Sequence, residues 1–96
     1  MRRAAKVDAN QAEIVALLRS KGATVCDTSQ LGKGYPDLTV GYKGQTLHME
    51  IKDGRLPPSK RKLTPDQEEW LKAWRGGAVW LITSIPDALD ALEKST

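Results

Sequence analysis

Residues 34–54, GYPDLTVGYKGQTLHMEIKDG, decide the fold because they read as a β-hairpin with its apolar residues in register. A slip by one residue would pair Leu38 with His48, so the hydrophobic pattern selects one register. The turn itself specifies less, since Asn-Gly suits a two-residue turn better than Lys43-Gly44 does. In the selected register two apolar pairs face each other on one side of the sheet: Leu38 with Met49, and Val40 with Leu47.

The same register places two acids side by side. Asp37 faces Glu50, and directly opposed residues have Cβ atoms about 4.5–5.5 Å apart. Two carboxylates that close repel each other unless a shared proton or a cation offsets the repulsion. Lys52 points to the same side, because it is two residues beyond Glu50. The hairpin is therefore a candidate scaffold for Mg²⁺, which prefers oxygen ligands and promotes attack of water on a phosphodiester.

Plainer interpretations of these residues stay open. Asp37 follows Pro36 and can satisfy loop amides, while Glu50 and Lys52 can form a solvated strand face. A carboxylate pair about 5 Å apart also occurs in glycosidases, although the neighbouring lysine and the lack of aromatic sugar platforms argue against one.

Composition bounds the class of protein. The 96 residues are 40% hydrophobic, which predicts one globular domain over 1–96. No apolar run approaches the roughly 18 residues of a transmembrane helix, and residues 1–13 lack the apolar segment of a secretory signal. Cys26 is the only cysteine, which leaves no intrachain disulfide or cysteine zinc site and favours a reducing, cytoplasmic setting.

Charge is divided unevenly along the chain. Residues 1–62 hold 12 Lys/Arg against 6 Asp/Glu, whereas residues 63–96 hold 3 against 6, so the net charge of +3 conceals a basic first part. Such a part suits a polyanionic partner, although it can also be a solvated surface. We predict phosphate contacts, without base-specific readout, from Lys33, Arg55, Lys60, Arg61, Lys62, Arg2, Arg3 and Lys6.

The rest of the sequence predicts the order α-β-β-β-α-β-α. Asp8 is the expected N-cap of a first helix that reaches about Lys21. Thr64 and Gln67 form a capping box for a second long helix, which reaches about Trp74. The remaining predicted elements are a strand at 24–28, a buried strand at 78–82 and a final helix at 84–93. We expect all three tryptophans in the core: Trp70, Trp74 and Trp80.

Pro36-Asp37 followed by Glu50-Ile51-Lys52 resembles the PD-(D/E)xK nuclease signature. More closely, the chain resembles the compact VRR-NUC nucleases of phages and bacteria over nearly its whole length. The resemblance includes Gly-x-Pro-Asp-Leu at 34–38, Leu-Thr-x-x-Gln at 63–67, Gly-Gly-Ala-Val at 76–79 and the basic loop between the hairpin and the second long helix. It implies a restriction-endonuclease-like α/β fold around a small mixed sheet.

The resemblance also implies a Mg²⁺- or Mn²⁺-dependent endodeoxyribonuclease. Asp37 and Glu50 would be metal ligands with the Ile51 carbonyl as a third, and Lys52 would be the catalytic lysine. Small members resemble Holliday-junction resolvases and act as homodimers, which implies branched DNA in a bacterial or phage-infected cell. Two alternatives are a non-catalytic nucleic-acid-binding module of the same fold, and a flap or nicking nuclease without junction preference.

Four further residues are assigned less directly. The resemblance implies that Glu13 on the first helix completes the metal site, where the alternative is a surface glutamate. It also places Gln67 close to the catalytic centre, where the alternative is a capping residue alone. We expect His48 to be a structural hydrogen-bonding residue and Tyr35 to shape the pocket.

Overall fold

The computed structural model describes residues 7–96, so the predicted DNA contacts Arg2, Arg3 and Lys6 lie outside the described residues. No helix within 7–96 is long and apolar enough to cross a membrane. The predicted order of elements is confirmed, and a short 3₁₀ turn at Pro58–Lys60 is added within the basic loop. The elements are α1 (Gln11–Ser20), β1 (Thr24–Asp27), β2 (Leu38–Tyr42), β3 (Gln45–Ile51), α2 (Pro65–Ala73), β4 (Val79–Ile82) and α3 (Ile85–Lys94).

The four strands form one mixed sheet in the order β1-β2-β3-β4. The first three strands are antiparallel neighbours, and β4 pairs parallel with β3. The predicted hairpin register is confirmed, with Leu38 opposite Met49 and Val40 opposite Leu47. Both turn residues have positive φ, 46° at Lys43 and 79° at Gly44, as a two-residue turn that follows the twist of the strands requires. Lysine thus takes a conformation that asparagine or glycine adopts more easily.

The hydrophobic core lies on one face of the sheet, under α1 and α3. Alternation along the strands sends the aliphatic residues of β2, β3 and β4 to this face. Ile14 and Leu18 from α1 meet them, with Ala88, Ala91 and Leu92 from α3. The sheet contributes Val25, Leu38, Val40, Leu47, Met49, Ile51 and Ile82, all buried.

The start of α1 differs from the prediction. The N-cap position is Asn10, not Asp8, and the Asp8 carbonyl accepts a hydrogen bond from the Gln11 amide. The Asn10 side chain makes no local cap because its amide donates to two main-chain carbonyls elsewhere, those of Lys52 at 3.1 Å and Thr83 at 3.3 Å. Asn10 therefore ties the start of α1 to the ends of β3 and β4.

The prediction that all three tryptophans are core residues is confirmed only for Trp80, which is half-buried and packs against the hydrophobic core. No residue of α2 is buried, and Trp70 and Trp74 are half-buried and do not join the core cluster. Trp70 and Trp74 stack with ring centroids 4.8 Å apart and contact His48 on the sheet face opposite the core. The strand at 78–82 is likewise not wholly buried, since Leu81 is 53% exposed on that same face. The second face is covered only in part.

Candidate active site

Asp37 lies just before β2 and is fixed from two sides. Its Oδ2 accepts a hydrogen bond of 2.8 Å from the Ile51 amide, and its carbonyl accepts one of 2.8 Å from the Thr28 amide. The interpretation of Asp37 as an acceptor for backbone amides is therefore partly right. The amide that its side chain binds belongs to Ile51 on β3, which places the carboxyl group beside Glu50.

Glu50 and Lys52 do not form a solvated strand face. Glu50 is 4% exposed and Lys52 is 9% exposed. Burial, together with the hydrogen bond to Asp37 and the negative charge of Asp37, raises the pKa of Glu50 to about 9, while the Lys52 ammonium acts in the opposite direction. Glu50 therefore keeps its proton at neutral pH in this environment, beside Asp37.

Gln67 joins the site to α2. Its Oε1 accepts from the Lys52 ammonium at 3.0 Å, and its Nε2 donates to Glu50 Oε1 at 2.8 Å. The same Oε1 accepts from the Thr64 amide at 2.8 Å, and the Gln67 amide donates to Thr64 Oγ1 at 3.2 Å. One side chain therefore completes the capping box and also contacts Glu50 on β3 and Lys52 just after it, while a role of Gln67 in catalysis stays a prediction.

An open cavity of about 500 Å³ gives access to these groups. Asp37, Glu50, Lys52 and Gln67 line it, together with Val7, Asp8, Ala9, Asp53, Leu56, Lys60, Lys62 and Thr64. The hairpin thus opens onto a space large enough for a phosphate group and several waters.

The structure does not bring Glu13 into this cavity. Glu13 lines a separate cavity with Asn10, Asp53 and Arg55. Asp8 lies in the site cavity instead, and its charge helps to raise the pKa of Glu50. Sequence reasoning missed Asp8 because an acid just before a helix reads as a cap. The local sequence carries no signal that separates Asp8 from Glu13, because the path of the chain before α1 decides which acid reaches the cavity.

The oxygen donors fit a hard divalent cation. Within residues 7–96, no group of three or more His, Cys, Asp or Glu side chains is placed to hold a metal ion. Mg²⁺ does not need such a group, since it binds through one or two carboxylates and keeps several waters. The buried Glu50 has a raised pKa beside the half-buried Asp37, so a bound cation would compensate the negative charge that the two acids carry when ionised.

The predicted phosphate contacts separate into two groups. Lys60 and Lys62 are exposed at the rim of the site cavity, and Lys33 is exposed in the loop before β2. Arg55 instead pairs with Asp53 through two hydrogen bonds of 3.0 Å, which lower the pKa of Asp53. Arg61 donates to the Leu56 carbonyl at 2.7 Å. The two arginines thus have partners within the loop, and the lysines are better placed for a ligand.

His48 and Tyr35 belong to an aromatic cluster with Trp70 and Trp74. The Tyr35 hydroxyl lies 3.2 Å from His48 Nε2, and burial lowers the pKa of His48. The Tyr35 ring meets Trp70 edge-on at 5.2 Å. His48 is therefore the structural hydrogen-bonding residue that the sequence predicted. Tyr35 supports α2 and is not one of the residues that line the site cavity.

A solved structure described as a VRR_NUC domain is similar to this chain, with a TM-score of 0.63. The match covers 88% of this chain and 95% of that chain, at 22% sequence identity. The chain therefore has the fold of a VRR_NUC domain, which is the restriction-endonuclease-like α/β fold that its motifs predicted. No family model matches the sequence, and no curated protein does either.

Proposed function

We propose that this protein is a divalent-metal-dependent nuclease that hydrolyses phosphodiester bonds in DNA. One observation supports the proposal above the others. The buried Glu50 and the half-buried Asp37 form a carboxyl pair beside a buried lysine, Lys52, in an open cavity with a basic rim. A buried acid with a strongly raised pKa, such as Glu50, is costly to a small domain, and such groups concentrate at functional sites. The structural similarity to a VRR_NUC domain supports a nuclease role for this arrangement.

Each residue then has a separate role. Asp37 and Glu50 hold Mg²⁺ or Mn²⁺, with the Ile51 carbonyl as a further ligand. When bound, the cation supplies electrostatic stabilisation of phosphoryl charge and lowers the pKa of a coordinated water. Lys52 orients the attacking water and stabilises the developing negative charge. Gln67 holds the Lys52 ammonium at 3.0 Å, so the lysine is oriented before DNA arrives.

The basic rim supplies the DNA contacts. Lys60 and Lys62 line the same cavity as the acids, so they can bind the phosphates on either side of the cleaved bond. Contacts of this kind fix the position of the backbone and carry no base information. They also make binding steeply dependent on salt.

The choice of substrate is a further part of the proposal. Branched DNA, a homodimer with two active sites and a cytoplasmic setting in a bacterium or an infected host follow from the resemblance to compact resolvase-like nucleases. The Holliday junction is the substrate that such a dimer suits, because it presents two strands to two sites.

Cleavage assays test the proposal directly. A labelled four-way junction and a matched linear duplex are incubated with Mg²⁺, with Mn²⁺ and with chelator. We expect metal-dependent cuts that Asp37→Asn abolishes. Glu13→Gln is the matched control, because that acid lies outside the site cavity, and it should retain cleavage within about threefold of wild type.

The outcomes of these assays distinguish the proposed nuclease from its alternatives. Paired symmetric cuts in the junction support a dimeric resolvase. Equal cutting of both DNAs retains the nuclease and removes the junction preference. Binding without cutting under either metal contradicts the proposal and favours a non-catalytic DNA-binding module.

A further inference from the structure

Gly34 makes an unusually close approach to α2. Its φ is +80°, and a Cβ placed on it would overlap the Asp66 carbonyl group and lie 2.8 Å from the Gln67 amide nitrogen. These atoms are main-chain atoms of the first turn of α2, so they cannot move aside as a flexible side chain would. Only a residue without a Cβ allows the loop before β2 and the start of α2 to approach this closely.

This contact matters because α2 is weakly anchored elsewhere. The helix contributes no buried residue. Its polar link to the sheet is the Gln67 side chain, which contacts Lys52 and Glu50, and its apolar link is the half-buried aromatic cluster. A displacement of the first turn of α2 would carry Gln67 away from both of its partners at the end of β3.

We infer that Gly34 is a positioning residue. It sets the distance between α2 and the end of β3, and so it holds the Gln67 side-chain amide between Lys52 and Glu50. The loop that carries Gly34 also carries Asp37, three residues later. One segment therefore supplies an acid of the site and the surface on which the opposing helix lies. The effect on catalysis rests on the proposed nuclease function, whereas the effect on Gln67 does not.

Gly32 provides a matched control. Its φ is +76°, close to that of Gly34, but a Cβ placed on it would meet nothing within 4 Å. Gly32→Ala and Gly34→Ala therefore carry the same backbone strain of a left-handed residue, and only the second forces α2 to move. If Gly34→Ala is too unstable to study, Gly34→Asn and Gly32→Asn replace the pair, since asparagine tolerates positive φ and keeps the Cβ.

The first readout is independent of cleavage. The side-chain amide resonances of Gln67 are assigned in ¹⁵N-labelled protein by their loss in Gln67→Ala, and are then followed in each glycine variant. We expect the substitution at 34 to shift them strongly and the substitution at 32 to leave them near their wild-type positions. Equal spectra for the two variants would overturn the inference, whether or not the protein cleaves DNA.

The second readout is a double-mutant cycle on cleavage. We expect Gly34→Ala to lower kcat about 10- to 100-fold with little change in KM, and Gly32→Ala to change kcat less than threefold. In a Gln67→Ala background, Gly34→Ala should lower kcat by no more than about threefold further, because the residue that it displaces is already absent. Fully additive losses would show that Gly34 does not act through Gln67. If wild type cleaves nothing while the Gln67 resonances respond as expected, the proposed nuclease fails and the positioning role stands.

Discussion

The two faces of the sheet are held in different ways. The core face is closed by α1 and α3 over aliphatic side chains that are almost completely buried, among them Leu47 and Met49. The opposite face is covered by α2, which has no buried residue and is joined by the hydrogen bonds of Gln67 and by half-buried rings. Apolar burial stabilises the core face, whereas side-chain hydrogen bonds and ring contacts hold α2 on the opposite face.

The candidate site lies on the second face. Glu50 and Lys52 point to the side of His48 and Leu81, away from the core, yet both are buried, and the Gln67 side chain contacts both. The burial of these ionisable side chains thus lowers stability at the proposed active site, and the packing of aliphatic side chains on the core face offsets that loss. Substitutions on the two faces should therefore separate stability from activity.

The largest expected effect is a core truncation. Leu47 is 2% exposed on β3, and Leu81 is 53% exposed on the opposite face of the adjacent strand. Leu47→Ala should lower the free energy of unfolding by about 2–5 kcal/mol, because it removes buried methyl groups and leaves a cavity. Leu81→Ala should cost less than about 1 kcal/mol. Chemical denaturation measures both, and equal losses would show that the second face is packed as tightly as the first.

The next prediction is a gain in the free energy of unfolding. Glu50→Gln should raise the free energy of unfolding of the metal-free protein by about 1–3 kcal/mol near pH 7, while it abolishes cleavage. The pKa of Glu50 is raised from 4.5 to about 9 in the folded state, so the folded protein holds a proton that the unfolded chain releases. Glutamine keeps the hydrogen-bonding pattern of that protonated acid and removes the cost of holding the proton.

The pH dependence identifies the cause of that gain. Between pH 4.5 and 9 the folded protein binds more protons at Glu50 than the unfolded chain does. Wild-type stability in chelator should therefore fall as pH rises, by up to about 1.4 kcal/mol per pH unit from this group. The difference between Glu50→Gln and wild type should grow over the same range in urea titrations. A difference that does not change with pH would assign the gain to packing instead.

Much of the fold was predictable because local patterns decide it. The alternation of apolar residues in the hairpin admits one register, and that register alone placed Asp37 beside Glu50. The capping box predicted the start of α2, and the spacing of Gln67 with Trp70, Leu71 and Trp74 predicted its inward direction. In each case the deciding residues are close in sequence or directly paired.

The predictions that failed depend on how the helices and strands pack against one another, which local sequence patterns do not determine. The apolar spacing of Trp70, Leu71 and Trp74 identified the inward side of α2. It did not show that the sheet face beneath the helix is only partly covered, so the burial of Trp70 and Trp74 was overestimated. Asp8 and Glu13 are both acids near the start of α1, and only the path of the chain decides which one enters the cavity. Gly34 reads as a loop glycine until the helix that lies against it is seen.

The smallest expected effects come from the caps of the two helices on opposite faces. Thr64 caps α2, and Ser84 caps α3 by accepting from the Asp87 amide at 3.4 Å. An N-cap truncation costs about 0.5–2 kcal/mol of helix stability. Because α3 packs into the core, Ser84→Ala should lower the melting temperature by a few degrees and leave cleavage nearly unchanged. Because α2 can fray without opening the core, Thr64→Ala should barely change the melting temperature.

Cleavage should respond in the reverse order. Thr64 Oγ1 accepts from the Gln67 amide, so its loss loosens the turn that presents Gln67 to Lys52 and Glu50, and we expect a several-fold lower kcat. Thermal denaturation and initial cleavage rates on the same two variants measure the comparison. If Thr64→Ala lowers the melting temperature as much as Ser84→Ala and leaves the rate intact, α2 is part of the cooperative core and does not serve the site as a separate support.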